Sequence, residues 1–265
     1  MTSTESVGTV TLQGGAASGG LNTITSTPGN TGSAVLTIAN LVRGGAGATV
    51  NFTGTNLGQD GLGNSQINLT QINTAAPTLV QNMIGGWATV NGTDFASYIA
   101  PGANQGQGGV GALGSLNYAL YSVNPLTAVV ATDNITIAGN PSANIGNTTV
   151  NSLRFSAAAT VTQTAATTLT ITSGGLLFNG AASVITGGNL TAGSVAGAEL
   201  FAYTNNTATI ASVITNNAGG AVSLVKSGTS TLTLTGNNTY TGNTFVNQGT
   251  LTLSTTGANG GSTVF

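Results

Sequence analysis

The feature that most constrains the fold is a Thr-Leu-Thr-Leu run that occurs twice near the end of the chain. Leu232 recurs as Leu251 and Leu234 recurs as Leu253, so the run returns after nineteen residues. Apolar residues at every second position are typical of a strand with one buried face. A strand that returns at a fixed interval indicates a solenoid, in which each coil, or rung, stacks on the one before it.

The composition of the chain favours strands throughout. Of its 265 residues, 40% are hydrophobic and only 3% are charged, whereas an ordinary domain has about 25% charged residues. Disordered chains combine low hydrophobicity with high charge, and this chain has neither property. Val, Ile, Leu and Thr are abundant and suit half-buried strands, while strong helix formers such as Lys, Arg, Glu and Met are few. The sequence therefore predicts an all-β protein.

Short strand patterns follow one another from Thr149 onward at intervals of about ten residues. Gly-Gly, Asn-Gly and Asn-Asn pairs separate them and supply the positive φ angles that tight corners need. Evenly spaced short strands also occur in sandwiches and barrels, but the nineteen-residue return favours a coil of parallel strands. The predicted strands cover residues 7–12, 34–38, 48–52, 66–69, 149–155, 168–172, 175–178, 199–203, 209–214, 222–225, 230–235 and 250–254.

We predict a single β-solenoid domain over residues 1–265. At about 20 to 22 residues a rung, the chain would form about a dozen rungs. The rhythm breaks over residues 75–130, which hold the only Trp, three of the five Pro and a Gly/Gln-rich stretch. Because this segment is too poor in apolar runs to form a core of its own, it is interpreted as an excursion from the coil.

Charge and side-chain chemistry exclude several classes of function. The net charge is −2, and the only bases are Arg43, Arg154 and Lys226, whereas nucleic acid binding needs clustered Lys or Arg. The chain has no Cys and no His, which excludes disulfides, thiolate chemistry and an imidazole base. It also lacks a run of about eighteen apolar residues that could span a membrane as a helix.

The first residues lack the basic and apolar regions of a signal peptide. We therefore expect either that an export signal has been removed or that the chain is a segment of a longer precursor.

A repeat pattern of Leu-Val-Lys-x-Gly, Leu-Thr-Leu-x-Gly, Tyr-x-Gly-x-Thr and Gly-Thr-Leu runs along residues 224–254. It is met by Leu224, Val225, Lys226, Gly228, Leu232, Leu234, Gly236, Tyr240, Gly242, Thr244, Gly249, Thr250 and Leu251. With this pattern the segment resembles the passenger-associated β-strand repeat of bacterial autotransporters. The resemblance implies a right-handed parallel β-helix, export to the bacterial cell surface or beyond, and no catalytic role for the repeat. Lys226 is expected to decorate a corner of the coil.

Parallel β-helices also include polysaccharide lyases and glycosidases, which use clustered carboxylates. The five acids here, Glu5, Asp60, Asp94, Asp133 and Glu199, lie far apart in the sequence, and the three Asp residues occupy Gly/Asn-rich turns. We therefore expect turn-forming or solvated acids, and neither an enzyme active site, nor a metal site, nor a bound cofactor.

Thr-x-Thr runs recur at residues 168–172 and 229–235, and flat threonine arrays are one way in which β-solenoids bind ice. Alternating Thr is also an ordinary outward-facing strand residue. The simpler interpretation is preferred.

The aromatic residues of the excursion are candidates for partner binding. Trp87, Tyr98, Tyr118 and Tyr121 could form a surface for a glycan or a cell, because exposed aromatic side chains supply contact area at low entropic cost. The alternative, which is preferred, is that they pin the excursion against the coil.

Strand-like ends without polar caps indicate self-assembly, because an open rung presents unpaired backbone groups and bare core. The candidate residues are Val7, Val10 and Leu12 near the start, and Val264 and Phe265 at the end. The first hypothesis is thus a non-catalytic extracellular structural protein whose subunits stack end to end into a surface fibre. The second is an adhesin passenger that binds a glycan or a cell surface through residues 75–130.

Overall fold

The computed structural model describes residues 1–15, 20–29, 31–59, 61–104, 107–115, 118–123, 126, 128–254 and 263–264. These residues form strands and turns, as predicted, and contain no helix of the length and apolar character needed to cross a membrane. The chain divides into two compact units, Met1–Leu120 and Tyr121–Phe265, here called unit 1 and unit 2. The single domain over residues 1–265 stays a prediction.

Unit 1 consists of two sheets. Its strands are β1 (Thr2–Leu12), β2 (Leu21–Ser26), β3 (Ser33–Arg43), β4 (Thr49–Gly54), β5 (Ser65–Leu69), β6 (Ala88–Val90), β7 (Asp94–Asn104) and β8 (Gln107–Ala112). One sheet has the order β1-β3-β5, and the other has the order β2-β4-β6-β7-β8. The pairs among β1 to β6 are parallel, whereas β6 to β8 form an antiparallel meander.

Rungs in unit 1 are longer than the sequence predicts. In the β1-β3-β5 sheet, Thr2 pairs with Ser33 and Leu36 pairs with Ile67, so these strands return after 31 residues rather than 20 to 22. In the other sheet the return is 28 residues from β2 to β4 and 38 residues from β4 to β6. The reason is the length of the connections, such as residues 70–87 between β5 and β6. The number of rungs in the chain stays a prediction.

Unit 2 is built from shorter strands. They are β9 (Ser122–Val123), β10 (Asn134–Ile137), β11 (Thr148–Phe155), β12 (Thr160–Thr162), β13 (Thr168–Phe178), β14 (Ser183–Thr186), β15 (Asn189–Ala192), β16 (Ala198–Thr204), β17 (Ala208–Ile210), β18 (Val213–Ile214), β19 (Val222–Ser227), β20 (Thr231–Leu234), β21 (Thr244–Val246), β22 (Thr250–Leu253) and β23 (Thr263–Val264). β12, β14, β17, β20 and β22 stack into one parallel sheet. The remaining strands form a second parallel sheet, in which one half of β13 pairs with β15 and the other half pairs with β16.

The nineteen-residue return is confirmed. β20 and β22 are parallel neighbours, and Leu232 pairs with Leu251 while Leu234 pairs with Leu253. Leu232 and Leu234 are fully buried, and the alternating residues Thr231 and Thr233 stay partly exposed. Their partner Leu251 is partly buried, and Leu253 is 44% exposed. Stacking equivalent leucines removes apolar surface from water in the rungs that are covered on both sides, which is the main source of stability for such a coil.

Each unit has its own hydrophobic core. In unit 2, columns such as Ile185, Ile210 and Leu234 run through successive strands and are fully buried. In unit 1, the paired residues Ile38 and Leu69 belong to a separate buried cluster.

Every predicted strand overlaps an observed one. Residues 168–172 and 175–178 run together in β13, whereas residues 209–214 are divided between β17 and β18. The division arises because the chain turns at Ala211 and Ser212, whose N–H groups both donate to the Ile185 carbonyl.

The Gln163 side chain joins corners of the coil that belong to non-adjacent rungs. Its amide nitrogen Nε2 donates a 2.6 Å hydrogen bond to the Ser212 hydroxyl, and its side-chain oxygen Oε1 accepts from the Leu169 N–H at 3.1 Å. Between these corners lies Gly188, where an added Cβ would come within 3.0 Å of the Gln163 side chain. The glycine therefore leaves room for the amide to cross an intervening rung.

Candidate functional site

The repeat pattern of residues 224–254 runs along four strands, β19 to β22. Its large side chains are buried as far as the corner after β20, including Leu224, Leu232, Leu234 and Tyr240, whereas Leu251 in β22 is partly buried. The pattern therefore specifies packing inside the coil up to that corner.

Lys226 lies inside this packing. In the sheet it pairs with Ala202 on one neighbouring strand and with Val246 on the other. Ala202 in turn pairs with Leu176, and both of these residues are buried. The Lys226 side chain is itself fully buried. The expectation that Lys226 decorates the outside of a corner is therefore wrong. In a strand, residues two apart share a face, so Lys226 points the same way as Leu224.

The Lys226 ammonium is held by main-chain carbonyls at two corners. Nζ donates to the oxygens of Ser227 and Gly228 at 2.8 Å each and to that of Gln248 at 2.9 Å. All three donors of an ammonium are thus used. Burial lowers the pKa of Lys226 from 10.5 to about 8. With its donors occupied and its stem in the core, this amine is a structural clamp.

The glycines of the pattern mark places where the backbone of one rung touches the next. Gly249 has a φ of +76°, and an added Cβ would lie 2.6 Å from the Ser230 carbonyl oxygen and 2.8 Å from Lys226 Nζ. At Gly228 the φ is +80°, and a Cβ would press on the backbone of Thr204. Only glycine fits both the backbone angle and the space.

Tyr240 fills the core at the corner between β20 and β21. Its ring is fully buried, and its hydroxyl shares a 2.7 Å hydrogen bond with the Thr244 hydroxyl. Burial raises the pKa of Tyr240, and the bond to Thr244 opposes that shift only in part. The Tyr-x-Gly-x-Thr element is therefore a packed corner with its polar atoms satisfied.

Tyr98 and Tyr118 connect the meander of unit 1 to its parallel strands. The Tyr98 hydroxyl donates to the Leu69 carbonyl at 2.7 Å, and both rings are largely buried. The Tyr118 hydroxyl lies 3.1 Å from the Gly109 carbonyl oxygen and 3.3 Å from that of Gly58. Burial raises the pKa of both phenols. This geometry favours the interpretation that these two residues pin the excursion.

Trp87 and Tyr121 are more accessible. Trp87 is partly buried and packs against the core of unit 1. In unit 2, the Arg154 guanidinium carbon lies 5.2 Å from the centroid of the Tyr121 ring. A partner-binding role for these two residues stays a prediction.

The residues predicted to mediate self-assembly have different environments. Val7 is 41% exposed, Val10 is partly buried, and Leu12 is buried in the core of unit 1. Val264 pairs with Phe245 through its backbone, and Phe265 lies outside the described residues. Self-assembly through these residues stays a prediction.

The acidic residues occupy separate places. Asp133 accepts a 2.9 Å hydrogen bond from the Val130 N–H in a turn, Asp94 begins β7, and Glu199 is buried within β16. Asp60 lies outside the described residues. Among the described residues, no three of Asp, Glu, His or Cys lie close enough together to hold a metal ion.

Comparisons with known proteins identify the pattern. Residues 224–253 match the family model described as passenger-associated-transport-repeat, which confirms the predicted resemblance over this segment. The chain is also similar to the adhesin BmaC autotransporter of Brucella suis biovar 1 (strain 1330), with 32% identity over 237 residues. That similarity covers 84% of this chain, and the chain spans about 6% of the length of this curated relative. No solved structure matches the chain significantly.

Proposed function

Because the chain carries an autotransporter passenger repeat at residues 224–253, we propose that it is an extracellular, adhesin-like segment of an autotransporter passenger. The similarity to an autotransporter adhesin over 84% of the chain supports both the extracellular location and the adhesive role.

The structural observation that agrees with this proposal is the registered parallel stack of unit 2. Leucines return in register through β20 and β22, and Lys226 and Tyr240 hold the adjoining corners with buried hydrogen bonds. Such a coil resists unfolding locally, since each rung is buried by its neighbours. It thereby presents long outward faces that are free to contact a surface.

We further propose that the segment is non-catalytic. The described acids are dispersed, and Asp133 is engaged as a turn-forming acceptor. The amine of Lys226, which is the only Lys, is enclosed by three carbonyl oxygens. A general acid or base must reach its substrate within about 3 Å. A substrate outside the coil cannot approach this buried amine so closely.

Surface location is tested with antibodies against the purified 265-residue chain on intact cells that produce the protein. We expect labelling of unpermeabilised cells and loss of the label after external protease treatment. Labelling that requires permeabilisation would overturn the proposed location.

Adhesion is tested with beads coated with the purified chain on a panel of cultured cell types. We expect more beads to attach than when the same chain has been unfolded before coating. Deleting residues 78–124 is unsuitable for this purpose, because Phe95 and Val110 are fully buried and their loss would unfold unit 1. Equal attachment of folded and unfolded chains would count against an adhesin.

A second candidate function is the end-to-end fibre. The feature that favours it is the continuation of the parallel register from β19 through β21 to β23, since a regular stack can be propagated by another copy. Sedimentation over a concentration series tests this proposal, and a single monomeric species at every concentration would refute it.

A further inference from the structure

The outer face of the β12-β14-β17-β20-β22 sheet in unit 2 carries a continuous column of β-branched side chains. From one strand to the next, paired in register, its members are Thr160, Val184, Thr209, Thr233 and Thr252. All five are partly or fully exposed. They alternate with inward residues, as Thr209 does with the buried Ala208 and Ile210. No shift of register interrupts the four pairings, so the column is unbroken.

Threonines also repeat along the strands of this face. The Thr231 and Thr233 positions of β20 lie directly beside Thr250 and Thr252 of β22. Three strands carry a Thr-x-Thr pair in this way, at residues 160–162 in β12, 231–233 in β20 and 250–252 in β22. Columns and pairs together form a two-dimensional array of hydroxyl and methyl groups.

The hydroxyls of the array are not used inside the protein. Within the described residues, those of Thr209 and Thr233 make no hydrogen bond to another part of the chain. The other Thr-x-Thr run, residues 168–172, differs in this respect, since the Thr172 hydroxyl donates to the Ala131 carbonyl at 3.1 Å. The structure therefore separates two runs that look alike in the sequence, and only the first leaves its hydroxyls for a partner.

Strand geometry makes the array regular in two directions. Neighbouring strands lie about 4.8 Å apart, and outward residues two apart along one strand are separated by about 6.6 Å. Threonine and valine are β-branched and stiff at χ1, so their methyl and hydroxyl groups are held in place before anything binds. Groups that are already fixed lose little conformational entropy when a partner docks on them.

A crystal surface of water suits an array of this kind. The prism plane of ice presents water molecules that repeat at similar intervals in two directions, and each molecule donates and accepts hydrogen bonds, as a hydroxyl does. The methyl groups between the hydroxyls favour ordered water in the layer next to them. A single polymer chain, such as a linear glycan, could follow the array in one direction only, whereas ice matches it in both and multiplies many weak contacts.

We propose that the outer face of the β12-β14-β17-β20-β22 sheet binds ice. The proposal goes beyond the adhesin-like function and does not depend on it, because its ligand is a crystal of water and its residues all lie in unit 2. Thr209 and Thr233, on neighbouring strands in the middle of the column, form the centre of the contact.

The test is the thermal hysteresis of the full 265-residue chain, which is the gap between the melting and freezing temperatures of an ice crystal in its solution. We expect a larger gap than serum albumin gives at the same mass concentration. The chain should also enter slowly growing ice, from which albumin is excluded. A gap no larger than that of albumin, or exclusion of the chain from the ice, would overturn the proposal.

Thr209→Tyr and Thr233→Tyr each place a bulky ring at the centre of the face, where it holds ice away from the neighbouring threonines. We expect each variant to lose most of the thermal hysteresis with unchanged circular dichroism, because both side chains point outward. Thr170→Tyr is the matched control, at a partly exposed position of β13 in the other sheet, and should keep the full value. Full activity in both face variants, or an equal loss in Thr170→Tyr, would refute the assignment to this face.

Two further measurements separate this proposal from the others. Retention of the chain on insoluble cellulose that is lost in Thr209→Tyr, without thermal hysteresis, would assign the face to a glycan and overturn the ice proposal. If the chain shows thermal hysteresis but the coated beads do not attach to cells, the ice proposal stands and the adhesive function fails. If beads coated with the chain attach to cells and no thermal hysteresis is seen, the adhesive function stands and the ice proposal is wrong.

Discussion

Lys226 Nζ and the carbonyl oxygen of Gln248 are joined by a 2.9 Å hydrogen bond that links the corner after β19 to the corner before β22. The same ammonium holds the Ser227 and Gly228 carbonyls. One side chain therefore satisfies acceptors in two successive rungs, which explains why a lysine stands in a column of apolar residues.

Stability should rise with pH because of Lys226. Its pKa falls from 10.5 to about 8 on folding, so the unfolded chain binds the proton more tightly between these values. The burial penalty of the charged form is present in full below pH 8 and is relieved as pH rises from 8 toward 10.5. We expect the free energy of unfolding to increase by ~2 kcal/mol between pH 7 and 10. Urea titrations across this range measure it, and a flat profile would contradict the assignment.

Lys226→Met should be costly at alkaline pH and nearly neutral at pH 7. At pH 10 the variant loses a neutral amine that bonds buried carbonyls, at a cost of ~2 kcal/mol. At pH 7 the loss of these hydrogen bonds is offset, because the substitution also removes the buried positive charge of Lys226 and its desolvation penalty. Val246→Met, in the same column, should change stability equally at both pH values. A Lys226→Met effect that does not vary with pH would show that the ammonium is not penalised by burial.

The alternation of residues predicts much of this unit. Leu232, Leu234 and their partners were assigned to stacked strands from spacing alone, and the register confirms them. The inward direction of Lys226 was also encoded, because Leu224 two residues earlier is buried. Sequence alone does not indicate it, because a lone lysine is ordinarily solvated. The buried ammonium is stabilised by main-chain carbonyls of two corners, and the spacing of residues does not show that these corners lie together.

Gly249→Ala should destabilise unit 2 far more than Gly197→Ala. Both glycines have nearly the same φ, +76° and +78°, but a Cβ at Gly197 meets nothing within 4 Å, whereas one at Gly249 meets Ser230 and Lys226. Gly197→Ala isolates the backbone strain of about 1 kcal/mol. Gly249→Ala adds a steric clash, and we expect about 3 kcal/mol in total. Equal losses in chemical denaturation would mean that the corner can relax.

The hydrogen bonds that hold the meander of unit 1 were not predictable in the same way. The aromatic residues marked this segment only as a candidate contact surface. Two of them, Tyr98 and Tyr118, are buried through hydroxyl contacts with carbonyls 29 and 60 residues away, and sequence alone does not reveal such distant partners.

Tyr118→Phe should lower the stability of unit 1 at neutral pH and reduce its loss of stability in alkali. Removing the hydroxyl leaves the Gly58 and Gly109 carbonyls without this donor, at a cost of about 1 kcal/mol. Burial raises the pKa of Tyr118 above its ordinary value of 10.0. Above pH 10 the unfolded chain therefore releases this proton while the folded chain keeps it, and stability falls as pH rises.

Trp87, the only Trp, lies in unit 1 and reports the unfolding of that unit by fluorescence. Urea titrations at pH 8 and 11 should show a smaller drop for Tyr118→Phe than for the unsubstituted chain, whereas Tyr121→Phe in unit 2 should leave the Trp87 transition unchanged. An identical drop in both chains would show that the buried hydroxyl of Tyr118 does not resist ionisation.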